Sequence, residues 1–184
     1  AVNTVMNAIS GVKNPAELQS AINFTTGDGH IKLVDDITLT STLILDSGNQ
    51  VTINLNGHTL TLPTIDNYGV SVKNGTLIIE GEGNIVVPGY YGFATSSVTD
   101  TGHIVINGGT FIGENAYYLF ACYNGSITIN DGDFTALYCV LNNNSGDDYG
   151  NTMDGVATVN GGSFEVTDTD TYYRPFIFLG DVQV

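Results

Sequence analysis

Short runs of apolar and β-branched residues alternate with polar corners along most of this chain. Three phrases share one pattern: a β-branched residue, an Asn, two turn-forming residues, a short polar residue and a Phe. They cover residues 106–111, 129–134 and 159–164, and weaker copies at 55–60 and 72–77 end in Leu. The steps between the closing residues are 17, 34, 23 and 30. Repetition of this kind indicates one structural unit stacked along an axis, and the step of 34 can hide one further unit.

Each repeat predicts a strand, a tight corner and a second strand. The β-rich runs 104–106 and 127–129 both stop at Asn and Gly or Asp, residue types that tolerate a sharp corner. The corner is too short for a helical crossover, so strands must pair in parallel between coils, which stack about 4.8 Å apart. The pattern therefore predicts an all-β parallel β-helix of about six or seven coils. Phe111, Phe134 and Phe164 hold equivalent positions, and we expect them to stack inside it.

Residues 42–45 followed by 51–60 resemble the opening coils of right-handed parallel β-helices of the pectate-lyase-like superfamily. The later Asn-Gly-Gly-Thr-Phe phrases resemble its inner coils, and the resemblance covers residues 14–184. It is closest to the non-catalytic members found in bacterial surface proteins, adhesins and phage fibres. The resemblance implies a right-handed, single-stranded β-helix. Fold does not carry function with it, so function must be argued from particular residues.

The segment 14–24 predicts a helix that caps the open end of the coils. Asn14 can act as the N-cap, Pro15 takes the first helical position, and Glu17 sits where a capping-box acid belongs. An open end exposes strand edges and apolar side chains, which a short amphipathic helix can cover. The expected apolar face consists of Leu18, Ala21 and Ile22.

Two further predictions concern the domain boundaries. We divide the chain into residues 1–13, an N-terminal arm or weak helix, and residues 14–184, the β-helix with its capping helix. The weak helix would place Val5, Ala8 and Ile9 on one side, and the alternative is a flexible or partner-bound arm. At the other end, the apolar strand around Phe176 and Phe178 is followed by no recognisable cap. We expect an end-to-end interface there, with a second copy or an adjoining domain.

Charge narrows the set of partners. Four basic residues stand against nineteen acidic ones, giving a net charge of −15 over 184 residues. Nucleic acid or an anionic membrane surface would require a basic stripe, so both are excluded as partners. No apolar run approaches the roughly 20 residues of a membrane span. A charged fraction of only 12% and a start at Ala1 are typical of a mature secreted protein, so we expect an extracellular, cell-surface or virion-surface location.

The superfamily also contains polysaccharide lyases and hydrolases, which makes such an enzyme, or its degenerate remnant, the alternative function. A lyase needs an acid cluster with a Lys or Arg base, yet none of Lys32, Lys73 and Arg174 lies in an acid-rich strand. A glycosidase needs two carboxylates about 5 to 10 Å apart. Asp131 and Asp133 flank Gly132 but replace the small residues of other corners, so we predict no catalytic residue. His30, His58 and His103 are dispersed and form no triad.

Metal and cysteine chemistry receive weak support. The longest insertion, residues 142–154, contains Asp147, Asp148 and Asp154, and oxygen-rich loops can hold calcium. The EF-hand order is absent, so we interpret the insertion as a solvated loop and predict no metal and no cofactor.

Cys122 and Cys139 lie in apolar runs. The sequence is consistent either with two buried thiols or with a disulfide bond between adjacent coils.

Paired tyrosines give the positive signal for binding. In each pair, one ring is expected to face the core and its neighbour to face outward, because side chains alternate along a strand. The outward rings could form a platform for a glycan or a protein partner. We therefore predict a non-catalytic extracellular structural or adhesive module that contacts glycans. The pairs are Tyr90 and Tyr91, Tyr117 and Tyr118, and Tyr172 and Tyr173, joined by Tyr123 and Tyr138.

Overall fold

A computed structural model describes residues 7–95, 101–143, 155–168, 176–178 and 182–183. Parallel β-sheet dominates, wound into a β-solenoid of about five turns with one short helix. The predicted all-β parallel β-helix is therefore confirmed, with somewhat fewer turns than the six or seven expected.

The described residues form one helix and sixteen strands. In chain order these are β1 (Asn7–Val12), α1 (Pro15–Phe24), β2 (Asp28–Leu33), β3 (Ile37–Thr38), β4 (Leu43–Asn54), β5 (Thr59–Thr61), β6 (Val70–Glu80), β7 (Asn84–Val86), β8 (Tyr91–Thr95), β9 (Gly102–Gly113), β10 (Tyr118–Cys122), β11 (Ser126–Ala136), β12 (Cys139–Asn143), β13 (Val156–Val159), β14 (Ser163–Val166), β15 (Phe176–Phe178) and β16 (Val182–Gln183).

Parallel pairing arranges these strands in three faces. The first face stacks β1, β2, the second half of β4, the second half of β6, the first half of β9, the first half of β11, β13 and β16. The second face stacks β3, β5, β7, the later parts of β9 and β11, and β14. The third face stacks the early parts of β4 and β6 with β8, β10, β12 and β15. The long strands bend around corners to join two faces.

The core of the second face contains the predicted aromatic ladder. Phe111 pairs with Phe134, and Phe134 pairs with Phe164, in consecutive coils. Their ring centroids are 5.0 Å apart at both steps, with interplanar angles of 25° and 7°. Ile85 and Leu60 continue the same column toward the N-terminus. The internal stacking of the three phenylalanines is confirmed.

One repeat was aligned wrongly from the sequence. Leu77 pairs with Val51 and Ile104 on the first face, so it does not belong to the column of Leu60 and Phe111. The unit hidden in the long step is marked by Ile85 instead. The phrase 72–77 crosses a different corner, between the third and first faces, where a similar Asn-Gly pair produced a misleading likeness.

Asparagines line the corner between the first and second faces. The Asn130 side chain donates to Oδ1 of Asn107 at 2.8 Å, and Asn160 donates to Oδ1 of Asn130 at 2.7 Å. The exposed Asn130 amide thus donates to the preceding coil and accepts from the following one. The repeated Asn of the sequence pattern therefore holds the corners in register.

The predicted helix forms with the predicted cap. Asn14 Oδ1 accepts a hydrogen bond of 2.9 Å from the Glu17 amide, and Pro15 opens the helix. The expected apolar face, Leu18, Ala21 and Ile22, is buried. The side-chain amide of Gln19 also donates to the Ile44 carbonyl at 2.9 Å and accepts from the Ile44 amide at 3.0 Å. Gln19 therefore replaces a neighbouring strand at this edge of the third face.

The N-terminal segment differs from the weak helix considered above. Residues 7–12 form β1, which pairs in parallel with β2 through Ala8 and Ile9. The helix interpretation was wrong for these residues because an available parallel edge satisfies the backbone of a short β-branched segment. Residues 1–6, including Val5, lie outside the described residues.

Both cysteines are buried thiols on the third face. Cys139 pairs with Tyr118, four positions before Cys122, which separates the two along the strands by about 13 Å. A disulfide between them would need Cα atoms within about 7 Å, so the buried-thiol alternative holds. Burial raises the pKa of the Cys122 thiol to about 11.

Candidate binding site

Tyrosines gather at and beside the corner between the second and third faces. Neither ring of the Tyr90 and Tyr91 pair, nor of the Tyr117 and Tyr118 pair, is among the fully buried residues. The expectation that one ring faces the core was therefore wrong for these two pairs. Tyr90 and Tyr117 precede their strands, so the alternation of side chains within a strand does not govern them.

The first tyrosine column consists of Tyr90, Tyr117 and Tyr138. The Tyr90 and Tyr117 centroids lie 4.6 Å apart at an interplanar angle of 19°. Tyr117 and Tyr138 follow at 4.7 Å and 28°. Backbone hydrogen bonds fix this spacing, since the Tyr117 amide donates to the Tyr90 carbonyl at 2.8 Å and the Tyr138 amide donates to the Ala116 carbonyl at 3.3 Å. The column therefore repeats at the spacing of the coils.

An open cleft of about 520 Å³ runs along this column. Asp66 and Asn115 are exposed polar residues at the cleft, and Tyr90 is 46% exposed. The cleft combines aromatic surface with a few polar groups, the composition expected of a ligand site. Its lining consists of Thr64, Ile65, Asp66, Pro88, Gly89, Tyr90, Asn115, Tyr117, Leu137 and Tyr138.

The remaining tyrosines of this region form an adjoining cluster of Tyr68, Tyr91, Tyr118 and Tyr123. Tyr91 joins it to the column, since its ring lies edge-on to Tyr90 and Tyr117 with centroids 6.4 and 6.2 Å away. Tyr91 lies 5.1 Å from Tyr68 and 6.0 Å from Tyr118 between ring centroids. The hydroxyls of Tyr68 and Tyr123 form a hydrogen bond. Burial is the main cause that raises the pKa of Tyr68, and it also raises the pKa of Tyr118. These partly buried rings pack against one another, and Tyr91 and Tyr118 do not line the cleft.

Other residues singled out from the sequence are scattered. Asp131 and Asp133 are exposed at a corner of β11, away from the tyrosine cleft. His103 Nδ1 lies 2.8 Å from Ser126 Oγ, and His58 Nδ1 lies 3.4 Å from Asp36 Oδ1. Within the described ranges, no three His, Cys, Asp or Glu side chains converge on a common metal position. The described chain also contains no helix that is long and apolar enough to cross a membrane.

Several predicted site residues lie outside what the structure describes. Tyr172 and Tyr173 are among them, and of Phe176 and Phe178 only the strand backbone of β15 is described. The weak calcium candidates Asp147, Asp148 and Asp154 also fall outside.

Some residues that line the cleft were not predicted from the sequence. Residues 64–66 belong to the loop between β5 and β6, and they lie beside tyrosines that follow more than 20 residues later. The signal was present, because Pro63 and Asp66 interrupt the repeat between two apolar runs. Only the stacking of coils shows that this loop occupies the corner next to the tyrosine column.

Comparisons with protein-family models, with curated proteins and with solved structures found no match to this chain. The proposed function therefore rests on the tyrosine column and the cleft beside it.

Proposed function

We propose that this chain is a non-catalytic extracellular β-solenoid module that contacts glycans through the tyrosine cleft. We further propose that it belongs with the structural and adhesive members of the pectate-lyase-like superfamily, as part of a surface protein or fibre. The observation that carries the proposal is the column of three partly exposed tyrosine rings along an open cleft.

The chemistry of the cleft suits a sugar ring. A tyrosine combines apolar ring surface with a hydroxyl that can hydrogen-bond, and Tyr117 offers its ring edge because neighbouring rings cover both of its faces. Thr64, Asp66 and Asn115 add polar groups at the margins of the same cleft. The rings stand on a stacked backbone, so little conformational entropy is lost when they bind a ligand.

The carboxylates support binding rather than catalysis. Asp66 is the single carboxylate among the described residues that line the cleft, whereas hydrolysis of a glycosidic bond generally uses two. The described lining also contains no Lys or Arg that could serve a lyase as a base. A polysaccharide lyase, a glycosidase or a degenerate remnant remains the alternative, and turnover of polysaccharides with or without calcium would establish it.

Replacing Tyr117 by Ala is expected to weaken glycan binding at least about tenfold, or about 1.4 kcal/mol. Tyr117 stacks on both Tyr90 and Tyr138, so its removal breaks the aromatic wall at the centre. Binding is measured first on a broad glycan array and then by calorimetry with the glycans retained.

Two variants control this experiment. Tyr118→Ala removes an adjacent ring that does not line the cleft, and it should leave binding unchanged. Tyr117→Phe preserves the stack and should retain most of the affinity. Equal losses in Tyr117→Ala and Tyr118→Ala, or no glycan bound by the parent protein, would reject the tyrosine cleft as a glycan site.

We also propose that the two ends associate head to tail between copies. Within the described chain, β1 pairs only with β2, and β16 pairs only with β13, so both end the same parallel ladder. A second copy could continue this ladder by adding its β1 beside β16, since unpaired strand edges favour such pairing. Light scattering should show a mass that rises with concentration. A constant monomer mass at high concentration would disprove the association.

A further inference from the structure

The tyrosine column ends at Tyr90, which is 46% exposed. Tyr117 stacks on Tyr90 at an angle of 19°, so the opposite face of Tyr90 points along the column toward the preceding coil. That coil contributes Thr64, Ile65 and Asp66 to the same cleft. A ligand in this cleft can therefore contact the Tyr90 ring and residues 64–66 together.

The charged side chains at and beside this end of the cleft are acidic. Asp66 is exposed and is the only charged side chain among the described residues that line the cleft. Glu114, also exposed, precedes the lining residue Asn115. The face of an aromatic ring attracts cations through its quadrupole, and the net charge of −15 adds a long-range attraction. An acidic sugar would meet repulsion without a compensating base.

We propose that the cleft prefers an amino sugar with a protonated amine over its neutral and acidic counterparts. The sugar lies against the exposed part of the Tyr90 ring, and its ammonium group donates to the Asp66 carboxylate. This inference rests on the proposed glycan-binding function and adds the class of sugar that the site selects.

The test compares oligosaccharides of one length that differ in charge. Calorimetry measures the binding of glucosamine oligomers, of the same oligomers fully N-acetylated, and of galacturonate oligomers. The parent protein should bind the glucosamine oligomers at least about tenfold more tightly than the acetylated ones, the factor expected of one charge-assisted hydrogen bond. Galacturonate should bind most weakly, and added salt should reduce the differences.

Two variants separate the local carboxylate from the overall charge. Asp66→Asn should remove the preference for the amine, so that the glucosamine and acetylated oligomers bind with equal affinity. Asp28→Asn removes the same charge from an exposed residue at the start of β2 and should keep the preference. Thermal unfolding confirms that both variants fold.

The outcomes distinguish this inference from the proposed function. Equal binding of amine and acetylated oligomers, or a preference that survives Asp66→Asn, overturns the inference and leaves glycan binding intact. Stronger binding of galacturonate also overturns it. Failure of every oligosaccharide to bind the parent protein removes the proposed function together with this inference.

Discussion

Replacing Phe134 by Ala is expected to lower the free energy of unfolding by about 3 to 5 kcal/mol. The ring is 2% exposed and stacks between Phe111 and Phe164, with Phe120 edge-on at 5.8 Å. Its removal leaves a cavity that the stacked coils on both sides cannot close, because their backbones are fixed by parallel pairing. Urea unfolding monitored by circular dichroism measures the loss.

Phe24→Ala is the matched control for this change. The same side chain is removed, but Phe24 is 78% exposed at the end of α1, so the stability should change by less than about 0.5 kcal/mol. A loss below about 1 kcal/mol for Phe134→Ala would contradict the internal aromatic ladder.

Replacing Gly125 by Ala is expected to cost about 2 to 5 kcal/mol. Gly125 has a φ of +82°, where a non-glycine residue loses roughly 1–2 kcal/mol. A Cβ atom would also collide with the carbonyl oxygen of Gly102 in the preceding coil, and such overpacking costs about 1–3 kcal/mol. Urea unfolding again measures the loss of stability, and thermal unfolding followed by far-ultraviolet circular dichroism gives the change in melting temperature.

Gly57→Ala separates the two causes. Gly57 also has a φ of +82°, but an added Cβ would meet no atom within 4 Å. We expect this substitution to show the conformational cost alone, about 1–2 kcal/mol. If Gly57→Ala and Gly125→Ala are equally destabilising, then the close approach of coils at the corner contributes nothing.

The fold was predictable because its repeating chemistry is local. A Phe that follows an Asn-Gly corner at equivalent positions points to a stacked ladder, and Phe111, Phe134 and Phe164 form it. The Asn14 cap could be recognised for the same reason, since the cap and its partner Glu17 lie within one turn.

The register of strand pairing was harder to predict than the fold, because the corners insert varying numbers of residues between strands. β4 and β6 pair with a shift between Asp46 and Gln50, which the spacing of closing residues cannot reveal. The sequence does contain a second glycine corner, in which Gly75 stacks beside Gly102 and Gly125 follows. Its Gly opens the first-face runs of β6, β9 and β11, and using it as the marker would have placed Leu77 correctly.

The candidate site depends on contacts between distant coils. The tyrosine pairs pointed to the corner where the cleft lies, but the sequence could not separate Tyr90 and Tyr117, which line the cleft, from Tyr91 and Tyr118, which do not. The distinction arises because the first member of each pair lies before its strand. Asp66 joins the site only through the stacking of coils.

Tyrosine-ring NMR tests the glycan-binding cleft most directly. The protein with carbon-13-labelled tyrosine rings is titrated with glucosamine oligomers and with their N-acetylated forms, and each ring signal is followed. The signals of Tyr90, Tyr117 and Tyr138 are expected to shift together and saturate with one affinity, while that of Tyr118 stays in place. Shifts confined to the tyrosines outside the cleft, or no shift in any ring with either oligomer, would contradict it.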